Sequence, residues 1–174
     1  ARWFNELAVR ARTADPDSRI VTYAYSRYRS PPTQIDHIEP NVWIGYVGFN
    51  AYPRPEEYRR MSTDEWHGWS RFGPTVYLRS NSLFYFGEGA PLVATHQIAE
   101  DTRFQIDNGL RSTDYDCLQG FWATSGPSYY VLARMLWDTE ADTESLIREY
   151  YESFGPMGPV VRAYFDYWEE FTTD

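Results

Sequence analysis

The chain reads as an α/β domain assembled from parallel βα units, on three observations. Short runs of β-branched and aromatic residues recur along it: RIVTYAY at 19–25, VWIGYVGF at 42–49 and TVYLRS at 75–80. A loop and then a stretch of helical spacing follow the second and third runs. Strand followed by helix, repeated, favours parallel strands joined by right-handed crossovers. With a further strand at 113–118 there are four strands, half of an eight-stranded barrel, and a helical tail comes after them.

The elements follow in order. Residues 2–14 form a helix with Trp3, Phe4, Leu7, Ala8 and Ala11 on one face, stopped by Asp15, Pro16 and Asp17. A chain that opens inside an amphipathic helix reads as a piece of something longer. The run at 19–25 leads into a long polar loop, SRYRSPPTQIDHIEPN, which carries Tyr28, Asp36, His37 and Glu39. A loop of this length in a compact domain is usually functional or disordered. The second strand is apolar on both faces, as a buried parallel strand is, and Trp43 in its middle reads as core. A helix covers 56–71, with Trp66 and Trp69 near its end. In the third strand Val76 and Leu78 share one face, and Tyr77, Arg79 and Asn81 the other. The first set faces helices, the second a polar centre. A helix at about 93–108 ends at Asn108-Gly109, a normal C-terminal cap.

The stretch from Asp114 to Asp138 organises the rest. It reads as a strand carrying Asp114 and Asp116 on one face, a loop punctuated by Gly120, Gly126 and Pro127, and a helix at 127–137. In α/β proteins the strand-to-helix loop at the carboxyl end of a strand is where function usually sits. Asp142 or Thr143 then caps a helix running to Phe154, and Pro159 opens a last helix with Val161, Tyr164, Phe165 and Trp168 buried. The chain divides into a partial barrel of about four βα units at 1–138 and a C-terminal helical hairpin at 139–174 packed on it.

Composition narrows the chemistry. The formal charge is −9 and the pI near 4.8, which argues against nucleic acid, whose phosphates would be repelled. All 16 basic residues are arginine, a bias that genomic base composition explains as well as a salt-adapted surface does. No apolar run approaches the roughly 20 residues needed to span a bilayer, and no signal peptide is visible. Cys117 is the only cysteine, so no internal disulfide forms. Inside a strand it reads as a small buried residue rather than a nucleophile. His37, His67 and His96 fall in separate elements with no paired ligand spacing, so no metal site is expected. No phosphate-binding glycine loop and no serine elbow occur. Aromatic residues make up 18% of the chain; most suit core packing, and some suit stacking against the C–H faces of sugars.

The run YDCLQGFWATSGPSYYVLARMLWD, followed by DTESLIREYYESFGPMGPVVRAYFDYWEE, resembles the C-terminal part of a bacterial family, domain of unknown function 4838. RIVTYAYSRYRSPP, NVWIGYVGF and VYLRSNSLFYFGEGAP also fit that family. The family is regarded as glycoside-hydrolase-like, with a TIM (β/α)8 barrel distantly similar to α-glucuronidases and β-hexosaminidases. The resemblance implies the C-terminal half of such a barrel plus a helical tail, a carbohydrate substrate, no cofactor, and a secreted or periplasmic setting. The rest of the barrel, or a second copy, would then cover the exposed sheet edges.

Glycoside hydrolysis usually needs two carboxyl groups at one mouth. Asp116 on the fourth strand, where burial would raise its pKa, and Glu88 in a Gly-Glu-Gly loop are the candidate acids. Glu39, in the proline-rich loop, is a third. Each also has a plain structural reading, as a loop brace or a solvated turn residue. Arg79 and Asn81 at a strand end are candidates to hold substrate, since arginine grips a carboxylate such as that of a uronic acid with two parallel hydrogen bonds. An ion pair within the sheet is the other reading of Arg79. Tyr28 and Trp122 are candidate sugar platforms. A carbohydrate-binding portion without catalysis is the alternative to a hydrolase.

Overall fold

The computed structural model describes residues 1–50, 52–82, 91–116 and 122–173. They form a mixed α/β structure with three parallel strands and six α-helices among the described residues. The elements are α1 (Arg2–Ala14), β1 (Ile20–Ala24), β2 (Val42–Tyr46), α2 (Glu56–Ser70), β3 (Thr75–Leu78), α3 (Thr95–Asp107), α4 (Trp122–Trp137), α5 (Thr143–Glu152) and α6 (Gly158–Thr173). They fall into two compact units. One comprises Ala1–Asn50, Glu56–Asn81 and Asn108–Asp116; the other comprises Ala51–Pro55, Ser82–Asp107 and Cys117–Asp174.

The first unit holds the sheet, in the order β1-β2-β3, with every pairing parallel. Tyr23 pairs with Gly45 and Gly45 with Tyr77, so these three lie in one row on one face. The other face carries Thr22, Val42, Ile44, Val76 and Leu78, and α1 and α2 pack on it. Its core is a triad of Tyr46, Phe49 and Trp66, whose rings meet edge to face with centroids 6.1–6.4 Å apart. Trp66 is fully buried and donates its indole N–H to the Asn108 carbonyl at 3.0 Å.

Of the strand expected at 113–118, residues 113–116 are described, and among them a single parallel bridge joins Thr113 to Leu78. Ladder hydrogen bonds nonetheless continue: Leu78 N–H to Ser112, Asp114 N–H to Leu78 and Asp116 N–H to Ser80, at 2.8–3.1 Å. Residues 111–114 are polar and largely exposed, and the segment is held to the end of β3 by these backbone bonds and by the Arg79 ion pairs to Asp114 and Asp116. Two other expectations differ from the structure. Trp3 is largely exposed, and of the face expected on α1 only Ala8 is fully buried. Trp43 is half-buried rather than core, lying beneath the Arg19 guanidinium at 5.4 Å.

The second unit is helical in its described residues. Val93, Ala99, Val131, Met135, Leu146, Ile147, Tyr150, Tyr151 and Phe165 form its core, drawn from the segment just before α3 and from α3 through α6. Gly126 and Pro127, expected to punctuate a loop, lie inside α4 and are buried. Gly126 is there for space: a Cβ on it would sit 2.2 Å from the Tyr150 hydroxyl. Asp142 caps α5 as expected, its carboxylate accepting from Ser145 N–H at 2.9 Å. Gly109 closes α3 with φ +86°, the left-handed conformation that favours glycine. On α6, Phe165 is buried with Val161 and Trp168 packed beside it, whereas Tyr164 turns outward.

Candidate functional site

The site is built at the carboxyl end of β3. Alternation puts Tyr77, Arg79 and Asn81 on one face. The ladder to 112–116 sets Asp114 and Asp116 beside them on that face. The end of β3 is clamped by Asn50, whose Oδ1 accepts from the Asn81 N–H at 2.8 Å and from the Ser80 hydroxyl at 3.1 Å. Ser80 also donates to the Phe49 carbonyl at 3.2 Å, at a residue with φ +53°.

Arg79 is the hub. Its Nε lies 3.0 Å from Asp114 Oδ2, its Nη2 3.2 Å from Asp116 Oδ2, and its Nη1 donates to Asn81 Oδ1 at 3.2 Å. Its guanidinium also sits 5.8 Å from the centre of the Tyr23 ring. Burial works against the charge on Arg79, but Asp116, the Tyr23 hydroxyl and Asp114 outweigh it and raise its pKa. Tyr77 is pushed up to about 12, first by burial and then by the neighbouring Tyr23. One guanidinium against two carboxylates leaves the cluster with a formal charge of minus one. The guanidinium's width and the two contacts of 3.0 and 3.2 Å keep those carboxylate oxygens closer than about 9.5 Å, the wider spacing of glycosidase carboxyl pairs.

Around the hub lies a cavity of about 180 Å³, lined by Tyr23, Tyr25, Val47, Arg79, Asn81 and Asp116. It has room for one pyranose ring, not a drug-sized ligand. Tyr23 and Tyr25 are half-exposed walls, and Asp114 and Asp116 keep 53% and 42% of their side-chain surface. Asp116 is therefore open and ion-paired, where burial was expected. Hydroxyl donors of a ligand could meet acceptors on one side and aromatic faces on the other.

Of the residues singled out in the sequence, Asp116, Arg79 and Asn81 come together here. Tyr28 lies elsewhere, exposed at the end of a 3-10 turn (Ser26–Tyr28) and lining a different, apolar cavity. Trp122 begins α4 in the second unit, its ring edge-on to Tyr129 at 5.5 Å. Glu88 and Cys117 lie outside the described residues. Glu39 braces α1: it pairs with Arg12, and its N–H donates to Asn5 Oδ1 at 3.0 Å. Tyr23, Tyr25, Val47 and Asp114 were not singled out as site residues. Their signal was alternation in step with Arg79 across neighbouring strands, which only the register makes usable. No group of three or more His, Cys, Asp or Glu suited to a metal ion occurs among the described residues. No helix there is long and apolar enough to cross a membrane.

Residues 1–166 match the family model described as Domain of unknown function (DUF4838). No curated protein and no solved structure matches the chain.

Proposed function

The chain belongs to the DUF4838 family, and from that premise we propose that it is the carbohydrate-handling half of a glycoside-hydrolase-like (β/α)8 barrel. The observation that carries this reading is the Arg79 cluster. Two carboxylates and an amide gather on one guanidinium at the carboxyl end of a parallel strand, beside two tyrosine walls. In this reading Tyr23 and Tyr25 stack on a sugar ring, and the part-exposed carboxylates of Asp114 and Asp116 accept from its hydroxyls. Arg79 orients both carboxylates. Asp116, ion-paired, is the ionised member of the acid pair, serving as base or nucleophile. Glu88, the other candidate acid, lies outside the described residues.

The test is sugar release from a panel of neutral and uronate-containing glycans by the chain and by its Asp116→Asn variant. The variant should lose activity by about a hundredfold or more while melting at the same temperature. Unchanged turnover would remove Asp116 from the mechanism. A non-catalytic carbohydrate-binding role is the second reading. It is favoured by the engagement of all three guanidinium nitrogens with Asp114, Asp116 and Asn81. Under it, the chain binds glycans without releasing sugar, and Asp116→Asn only weakens binding.

A further inference from the structure

The charges around the small cavity at the end of β3 are unequally presented. The Arg79 side chain keeps 18% of its surface, whereas Asp114 and Asp116 keep 53% and 42%. The guanidinium is thus more covered than its own counter-ions, and an approaching ligand meets the carboxylates first. The formal balance, one cation against two anions, is negative as well. All three guanidinium nitrogens already meet a protein acceptor: Nε at Asp114, Nη2 at Asp116 and Nη1 at Asn81. A ligand carboxylate would compete with these acceptors for the paired bonds by which arginine grips such a group. It would do so against like charge.

The walls point the same way. The cavity of about 180 Å³ sets Tyr23 and Tyr25 beside Asp116, and the faces of tyrosine rings attract cations. Arg79 makes one such contact, 5.8 Å from the centre of the Tyr23 ring. Tyr25, half-exposed, presents a second ring.

We propose that this cavity selects its sugar by charge, taking a sugar with an unacylated amine whose ammonium lies against Asp114 and Asp116. The inference rests on the glycan reading above and sharpens it: cationic sugars bind best, neutral ones less well and uronates least. The uronic acid that Arg79 alone would favour is disfavoured, because the two aspartates reverse the sign of the cluster. Asp114 sets this selectivity. It lies outside the cavity lining, and without its charge one guanidinium faces one carboxylate.

The experiment follows the side-chain NMR signals of Tyr23 and Tyr25 as glucosamine, N-acetylglucosamine, glucose and glucuronate are added. It is run at about pH 6, where glucosamine carries an ammonium and glucuronate a carboxylate. Glucosamine should bind about fivefold or more tightly than glucose, the difference between a charged and a neutral hydrogen-bond partner. N-acetylglucosamine should bind no better than glucose, and glucuronate more weakly. The advantage of glucosamine should shrink in molar salt. In Asp114→Asn the ratio of glucosamine to glucose affinity should fall towards one; if that variant does not fold, the salt dependence of the parent chain decides. Equal binding of glucosamine and glucose would overturn the proposal and leave the glycan reading standing. So would glucuronate binding as tightly as glucose, or a glucosamine advantage untouched by salt. Tyrosine signals moved by none of the four sugars, up to the hundred-millimolar range, would overturn both.

Discussion

The Tyr46 hydroxyl donates to Glu65 Oε2 across 2.8 Å, inside the layer between β2 and α2. Burial, and then the nearby carboxylate, drive the pKa of Tyr46 well above the usual tyrosine range. The same carboxylate accepts from Arg29 Nε at 2.7 Å and from the Ser30 hydroxyl at 2.7 Å. Glu65 thus ties the segment after β1 to α2 and to the core. Trp69 adds a bond from its indole N–H to the Arg29 carbonyl at 2.7 Å.

Removing the donor and removing the charge should differ. Tyr46→Phe leaves Glu65 with Arg29 and Ser30, and is expected to lower stability by about 1.5–3 kcal/mol, as for a hydrogen bond to a charged group. Glu65→Gln strands the Arg29 charge and should lower it by about 3 kcal/mol; the loss stays at the low end because Arg29 keeps some water contact. Urea unfolding of both variants checks this. A smaller loss for Glu65→Gln than for Tyr46→Phe would show that charge does not govern the cluster.

Gly126 should not tolerate a side chain while Tyr150 keeps its hydroxyl. With the Cβ only 2.2 Å from that oxygen, Gly126→Ala is expected to cost about 1–3 kcal/mol. Tyr150→Phe in the same chain should recover part of the loss, since the oxygen goes and the ring remains. A thermal double-mutant cycle reads the coupling. Additive losses would mean that the helix moves away instead.

Gly45 should be as intolerant, with consequences for the site. A Cβ there would lie 2.6 Å from Tyr23 Cδ1 and from the Tyr77 hydroxyl. Gly45→Ala should push the two rings apart, destabilise by about 1–3 kcal/mol and open the tyrosine wall beside Arg79. If the cluster binds glycan, titration calorimetry should show weaker binding by the folded variant. Unchanged affinity would exclude Tyr23 as a platform.

His96 makes the helical unit sensitive to alkali. Its Nδ1 lies 2.9 Å from Glu169 and its Nε2 3.3 Å from Glu144, so it joins the start of α3 to α5 and α6. Its pKa rises to about 9, first through the hydrogen bond to Glu169, against the pull of burial, and then through the charges of Glu169 and Glu144. The folded-state value stands above the unfolded one. The stabilisation is therefore complete below about pH 6.5 and fades as pH climbs through about 9. The site is half-exposed, so roughly 1 kcal/mol or less is at stake. Melting temperature should fall across this window in the parent chain and stay flatter in His96→Gln. Parallel curves would assign the pH dependence elsewhere.

Residue order alone was enough to place most elements. Runs of β-branched and aromatic residues marked β1, β2 and β3, and helical spacing marked the six described helices, because burying one face imposes its period on the residues that form it. The Asp142 cap and the Gly109 terminus were legible for a local reason: each satisfies backbone groups within a few residues of itself. Arg79, Asn81 and Asp116 could be marked as polar residues at strand ends. What brings them together could not be seen, because the register of β3 against 112–116 depends on residues more than thirty positions apart. Gly126 looked like a breaker and serves as a gap for Tyr150, since a glycine has the same letter whether it supplies a turn or a space. Glu65 was not singled out in the sequence. Only the packed layer, which brings Tyr46, Arg29 and Ser30 to it, makes it a buried junction, because an ion's role is set by the partners that replace its water.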